Sequence, residues 1–160
     1  MRTLWIVGIV VVLDQASKWL VMETMALGES IPVLGSFFKL TYIHNPGAVF
    51  GLRLGGKVLH LLFAGAALVL VAVLLWRLPA AERLAAVGLA LVLGGAIGNV
   101  VDRLRFGVVI DFLDFGVGSL RWWVFNLADA CVTIGAGLLM LSYGFQKQGE
   151  GGTDGDGDGP

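Results

Sequence analysis

The chain has 160 residues, 57% of them hydrophobic and 14% charged, with a formal net charge of −1 and a mean hydropathy of +0.84. That length suits one domain, but the composition is far too apolar for a soluble one, and neither net charge nor a basic, aromatic-laced patch points to nucleic acid. One cysteine (Cys131) and two histidines (His44 and His60) supply neither an internal disulfide nor a structural zinc ligand set.

A membrane-spanning helix needs about 20 mostly apolar residues. Four segments come near this: Leu4–Met22, Val58–Trp76, Leu84–Val101 and Trp122–Tyr143. The expected fold is an all-α integral membrane protein of four transmembrane helices with a small β-rich loop region. Arg2 followed by apolar Leu4–Leu13 has the look of a signal peptide, but "DQASKW" after it offers no small-x-small cleavage site, so a retained first span is expected. Between spans one and two lies Glu23–Lys57. Its stretch "SFFKLTYIHNPGAVFGL" (Ser36–Leu52) is rich in aromatic and β-branched residues, with Pro46 and Gly47 as turn formers, and reads as short strands around a turn. Arg77–Arg83 is a tight loop, and Asp102–Arg121 separates spans three and four. Residues 1–147 form the single domain, and the Gly/Asp-rich end, Gln148–Pro160, is expected to be disordered.

Polar residues gather at one end of these spans. Asp14 and Lys18 lie in the second half of span one, Asn99 ends span three with Asp102 and Arg103 just beyond, and Asn126 and Asp129 lie in the first half of span four. Because the chain turns back at each crossing, all of them face one membrane surface. Asp14 and Lys18 are four apart and share a helix face, with Asp14 roughly 15 Å into its span. A charge at that depth needs a partner or a polar pocket. A buried structural ion pair is the plain alternative for Asp14 and Lys18, and interhelical hydrogen bonding is the plain alternative for Asn99. Arg105 and Arg121 read as interfacial anchors, the five tryptophans as an aromatic belt, and His60 as a packing residue. His44 is left without a role.

Asp111 and Asp129 resist such readings. Each is flanked by apolar residues, "VVIDFL" and "FNLADAC", with no basic neighbour close in sequence. Two carboxylates brought together in a low-dielectric site do not both ionise easily, so one retains a proton. Such a pair can take a proton from water and give one to a substrate, the division of labour of aspartic proteases.

Five motifs in order then match a known family. "DQASKW" (Asp14–Trp19), "HNPGAVFG" (His44–Gly51), "GGAIGNVVDR" (Gly94–Arg103), "VVIDFLDF" (Val108–Phe115) and "FNLADACVTIG" (Phe125–Gly135) resemble, over nearly the whole chain, the lipoprotein signal peptidases, or signal peptidase II, of bacteria. The resemblance implies an aspartic endopeptidase with Asp111 and Asp129 as the catalytic pair. Asp14, Lys18, Asn45, Gly47, Asn99, Asp102, Arg103, Asn126 and Ala128 would support the pair or bind substrate. It implies a multi-pass protein of the bacterial inner membrane, with both termini cytoplasmic and the site and β-rich loop on the extracytoplasmic side, although counting basic residues alone favours the opposite placement. The implied substrates are prolipoproteins bearing a diacylglyceryl-cysteine, cut just before that cysteine. Membrane lipids are further partners, globomycin an inhibitor, and no metal or organic cofactor is implied. Two other classes differ in what they predict. A transporter would carry polar residues to both surfaces, and a non-catalytic lipid-binding subunit would bind a lipopeptide without hydrolysing it.

Overall fold

The computed structural model describes residues 3–47 and 56–150, with the side chains of 56–60 and 145–150 left aside. Helix α1 (Leu4–Thr24) leads into strands β1 (Ser30–Leu34) and β2 (Phe38–Asn45). Helices α2 (Gly56–Arg77) and α3 (Arg83–Arg105) follow, then strands β3 (Val109–Val117) and β4 (Leu120–Arg121), and finally helix α4 (Leu127–Glu150). The apolar runs become helices because a helix satisfies its own backbone polar groups where lipid offers no partner.

Three helices, α1, α3 and the Leu127–Gly144 part of α4, are long and apolar enough to cross a membrane, while α2 is apolar over Leu61–Arg77. Among the described residues there are thus four helices, three of them with the length and apolarity of the four expected spans, and the all-α expectation is corrected. An antiparallel sheet of order β1-β2-β3-β4 accompanies them. Its longest strand, β3, carries Asp111 and lies in the segment Asp102–Arg121, to which the sequence assigns no strand. The fourth helix also starts at Leu127 rather than Trp122, because Phe125 pairs with Leu113 of β3 instead of entering the helix. At its far end α4 continues to Glu150, three residues beyond the expected domain boundary; the rest of the expected tail, 151–160, lies outside the described residues. Of the short strands expected around a turn within Ser36–Leu52, the one before Pro46 and Gly47 is β2, whose partners are β1 and β3; the part after the turn, 48–52, lies outside the described residues.

Helix α3 is the hub, packing against α1, α2 and α4. Its glycines set how near the others come. A Cβ on Gly88 would lie 2.8 Å from the Gly135 carbonyl oxygen of α4, and one on Gly94 would lie 2.8 Å from Val10 of α1. A Cβ on Gly95 would collide with the Ala128 carbonyl, and one on Gly98 with the Asp14 carboxylate. Small residues thus let backbones approach, as they commonly do in membrane bundles. Replacing Gly95 by Val should force α3 away from α4 at the start of that helix. The expected cost is about 1–3 kcal/mol, read as a lowered thermal midpoint in detergent; an unchanged midpoint would show that the contact is not tight.

The sheet is seated on the bundle by a buried apolar cluster of Val21 and Met25 from α1 with Tyr42, Ile110 and Phe112 from the strands. Strand β2 carries one extra residue between Leu40 and Ile43, a bulge opposite β3. Beyond it, Asn45 pairs in register with Val109 and Ile43 with Asp111. The sheet thereby delivers Asn45 and Asp111 to the polar ends of α1, α3 and α4.

Candidate active site

Asp129 sits in the first turn of α4, and Asn126 just before that helix is its cap. The Asn126 side-chain oxygen accepts the Asp129 backbone N–H at 2.9 Å, the usual role of Asn at this position. Its amide nitrogen faces the other way, donating to Asp111 Oδ1 at 2.6 Å and to Asn99 Oδ1 at 3.0 Å. Asn99, near the end of α3, donates in turn to Asp129 Oδ1 at 2.7 Å. Two asparagine amides therefore tie together carboxylates carried by a strand and a helix. Asn45 of β2 donates to the second oxygen of Asp111 at 2.8 Å. The Asn45 side-chain oxygen is held by the Gly47 N–H at 2.9 Å, in a turn where Gly47 has φ +77°, a left-handed conformation suited to glycine.

Beneath this layer lies a buried charge cluster. Lys18 is 1% exposed, and its Nζ is 2.8 Å from carboxylate oxygens of both Asp14 and Asp102. It also donates to Asn99 Oδ1 at 3.1 Å. Asp14 accepts the Ala128 N–H of α4 at 2.9 Å, and Asp102 accepts the Ile110 N–H of β3 at 3.1 Å. The cluster thus fastens α1 and α3 to the two segments that carry Asp111 and Asp129. Negative charge at the start of α4 also meets the positive end of the helix dipole.

All eleven residues picked out in the sequence fall in this region, though with different contacts. Arg103 touches neither carboxylate of the pair in the bonds described: its guanidinium donates to the Asn99 carbonyl at 3.2 Å and lies beside Gly47. Ala128 acts through its N–H and through its close approach to Gly98. The residues 48–51 of the "HNPGAVFG" motif lie outside the described residues. Sequence reasoning missed Gln15, whose amide bridges Asp14, the Gly98 carbonyl and Asp102 at 3.2, 3.2 and 2.9 Å. The signal was weak, since a neutral amide beside Asp14 is less conspicuous than a charge. His44 bonds the Tyr42 hydroxyl at 2.9 Å. Arg121 is not merely an interfacial anchor; it pairs with Asp114 at 2.7 Å. Among the described residues, no group of three or more His, Cys, Asp or Glu side chains is placed to hold a metal ion.

Asp111 is fully buried. Burial pushes its carboxyl up to about 6, with the neighbouring Asp129 charge adding to the rise, while the Asn45 and Asn126 hydrogen bonds and the Lys18 charge pull it back. A carboxyl in that range exchanges a proton near neutral pH, which general acid–base work requires. The same shift has a consequence for stability. An acid with a higher pKa folded than unfolded holds its proton more tightly in the native state. Its contribution is therefore full below the unfolded value of 3.8 and is lost as pH rises through about 6. Between pH 4 and pH 7, wild-type protein should lose stability relative to Asp111→Asn by on the order of 1–3 kcal/mol. Parallel pH profiles of the thermal midpoint for the two proteins would contradict this.

Residues 6–145 match the family described as signal peptidase (SPase) II. The chain belongs to the signal peptidase II family. A lipoprotein signal peptidase of Alteromonas mediterranea is 45% identical over 161 residues, covering 96% of this chain and 88% of its own. One from Moorella thermoacetica is 47% identical, covering 82% and 85%. A solved bacterial membrane enzyme superposes with a TM-score of 0.82 at 28% identity, covering 89% of this chain and 92% of that one. A second solved bacterial membrane enzyme gives 0.82 at 25% identity, covering 99% and 94%. This signal peptidase II family member is thus a membrane peptidase whose polar cluster joins all three of its long apolar helices to one sheet.

Proposed function

We propose that this protein is an aspartic endopeptidase that removes signal peptides from diacylglyceryl-modified prolipoproteins, cutting just before the lipidated cysteine. The observation that carries the reading is the amide bridge through Asn126 and Asn99, which draws Asp111 and Asp129 into one hydrogen-bonded unit. One carboxylate takes a proton from a water molecule as its oxygen attacks the scissile carbonyl, giving a tetrahedral diol. The other, protonated, hydrogen-bonds the carbonyl oxygen. Collapse of the diol breaks the C–N bond, and a carboxyl proton passes to the departing amine of the cysteine. Asn45, Asn99 and Asn126 orient the pair, and the Asp14–Lys18–Asp102 cluster holds its supports.

Placement in the bilayer follows from the same reading. The site lies at the end of the spans beside the sheet, where Leu34 and Leu120 of the strands and Phe37, Trp122 and Trp123 flanking them are all more than half exposed. Exposed tryptophans and large aliphatics next to apolar helices suit the membrane–water boundary. A lipid-anchored substrate would reach that position sideways from the bilayer. The enzyme would sit in the inner membrane with both termini cytoplasmic and this face outward. The test is cleavage of a purified diacylglyceryl-modified precursor, with an unlipidated precursor alongside. Release of the signal peptide from the lipidated form only, blocked by globomycin, is expected; binding without cleavage would overturn the assignment.

A further inference from the structure

The seventeen residues between Asp111 and Asp129 are the direct covalent link between the two carboxyl groups, and most of them form a hairpin. Strand β3 runs out to Val117, turns through Gly118 at φ +57°, and returns as β4. Near its tip the hairpin is closed by the pairs Gly116↔Arg121 and Val117↔Leu120 and by the Trp122 N–H on the Phe115 carbonyl at 2.7 Å. Near its base it is closed by Leu113 and Phe125, which exchange backbone bonds at 2.7 and 3.0 Å. Between these closures Asp114 faces two residues, Trp123 and Val124, and the regular pairing lapses.

Arg121 spans that gap. Its Nε and Nη2 reach Asp114 Oδ1 at 3.0 and 2.7 Å, and Nη2 also donates to the Asp114 carbonyl at 3.0 Å. Its Nη1 donates to the Ser36 carbonyl in the β1–β2 turn. The arginine stem lies across Gly116, where a Cβ would sit 2.8 Å from Arg121 Cδ. The second Asp114 oxygen accepts the Thr41 hydroxyl of β2 at 2.8 Å, and Thr41 is itself 2.8 Å from the Ser30 hydroxyl of β1. One guanidinium–carboxylate pair therefore ties the return limb of the hairpin to every other strand. Thr41 also lies in the β2 bulge, just before the stretch that positions Asn45 against Asp111.

We propose that Arg121 and Asp114 are positioning residues that set the separation of Asp111 and Asp129 by holding this hairpin closed. The inference rests on the reading of those aspartates as the catalytic pair. A planar guanidinium fork bound at several points fixes direction as well as distance. Catalytic geometry is lost with displacements of about 1 Å, at a cost near a hundredfold in rate. The pair would therefore act on the chemical step rather than on substrate affinity.

The experiment compares wild type with R121Q, D114N and the double variant on a lipidated precursor, with turnover normalised to the folded fraction found by gel filtration and thermal unfolding. Each single variant should lower kcat by about ten- to a hundredfold with little change in KM, and the double variant should be no worse than the poorer single one. R121K, which keeps the charge but not the fork, should remain below wild type. An unchanged kcat per folded enzyme in R121Q, a rise confined to KM, or losses that multiply in the double variant would each overturn the proposal. Asp111→Asn is run in parallel. Activity in that variant would sink the dyad itself, whereas an inactive Asp111→Asn beside a fully active R121Q would sink only the positioning role.

Discussion

Asp111→Asn and Asp129→Asn should each lower cleavage of a lipidated precursor by about 10²–10⁴-fold, the usual loss when a positioned acid or base is removed. Neither change should unfold the protein. Asparagine has nearly the shape of aspartate, and both side chains already sit among amide partners, Asn45 and Asn126 for one and Asn99 for the other. The amide that replaces the carboxyl keeps one oxygen, which can accept the single Asn99 bond at position 129 and one of the two bonds at position 111, and it takes up no proton from water. The check is turnover of purified variants together with their thermal midpoints. Activity within a few-fold of wild type in either one would show that water is activated elsewhere. The double variant should be scarcely worse than the singles, because residues that act as one unit lose their function together.

A second large effect is expected at Lys18→Met, this time on stability. Lys18 is the cation between Asp14 and Asp102, at 2.8 Å from each, and all three side chains are at most 1% exposed. Methionine fills a similar volume but leaves two buried carboxylates facing each other with only Gln15 and backbone N–H groups for support. Breaking a buried ion pair from one side costs about 3–5 kcal/mol, a large share of the stability of a chain this size. Activity should fall as well, since Lys18 also holds Asn99 at 3.1 Å and Asn99 holds Asp129. Denaturant unfolding in micelles measures the first effect. A loss below about 1 kcal/mol, the range of exposed pairs, would mean that the cluster is solvated or relaxes without cost.

Much of this arrangement is legible in the sequence. Asp14, Lys18, Asn99, Asp102, Asn126 and Asp129 were placed at one end of the bundle by helical spacing and by counting crossings, because charge in an apolar run is conspicuous and a helix fixes which residues share a face. The glycines of "LGGAIG" likewise signalled close helix contacts, and Gly94, Gly95 and Gly98 make them. The sheet was only half legible. β2 announced itself by its β-branched and aromatic residues. In β3, by contrast, "VIDFLDFGV" has near-continuous burial over its first residues, which in sequence looks the same as a buried helical or loop segment. Its strand character comes from pairing with β2 and from the bridge to Phe125, contacts with residues far away in the chain. The same cause displaced the start of α4 from Trp122 to Leu127. Gln15, Asp114 and Thr41 were missed because side chains such as these draw notice only once their partners are known, and each of those partners is set by the fold.

The most direct test of water activation by Asp111 and Asp129 is a single-turnover cleavage of lipidated precursor in water enriched in heavy oxygen, followed by the mass of the released signal peptide. Direct attack by water held between the two carboxyl groups puts one heavy oxygen into the new carboxylate of every released peptide in that first turnover, with none in the lipidated product. An unlabelled first-turnover peptide, its oxygen supplied by a protein side chain through a covalent intermediate, would contradict the account.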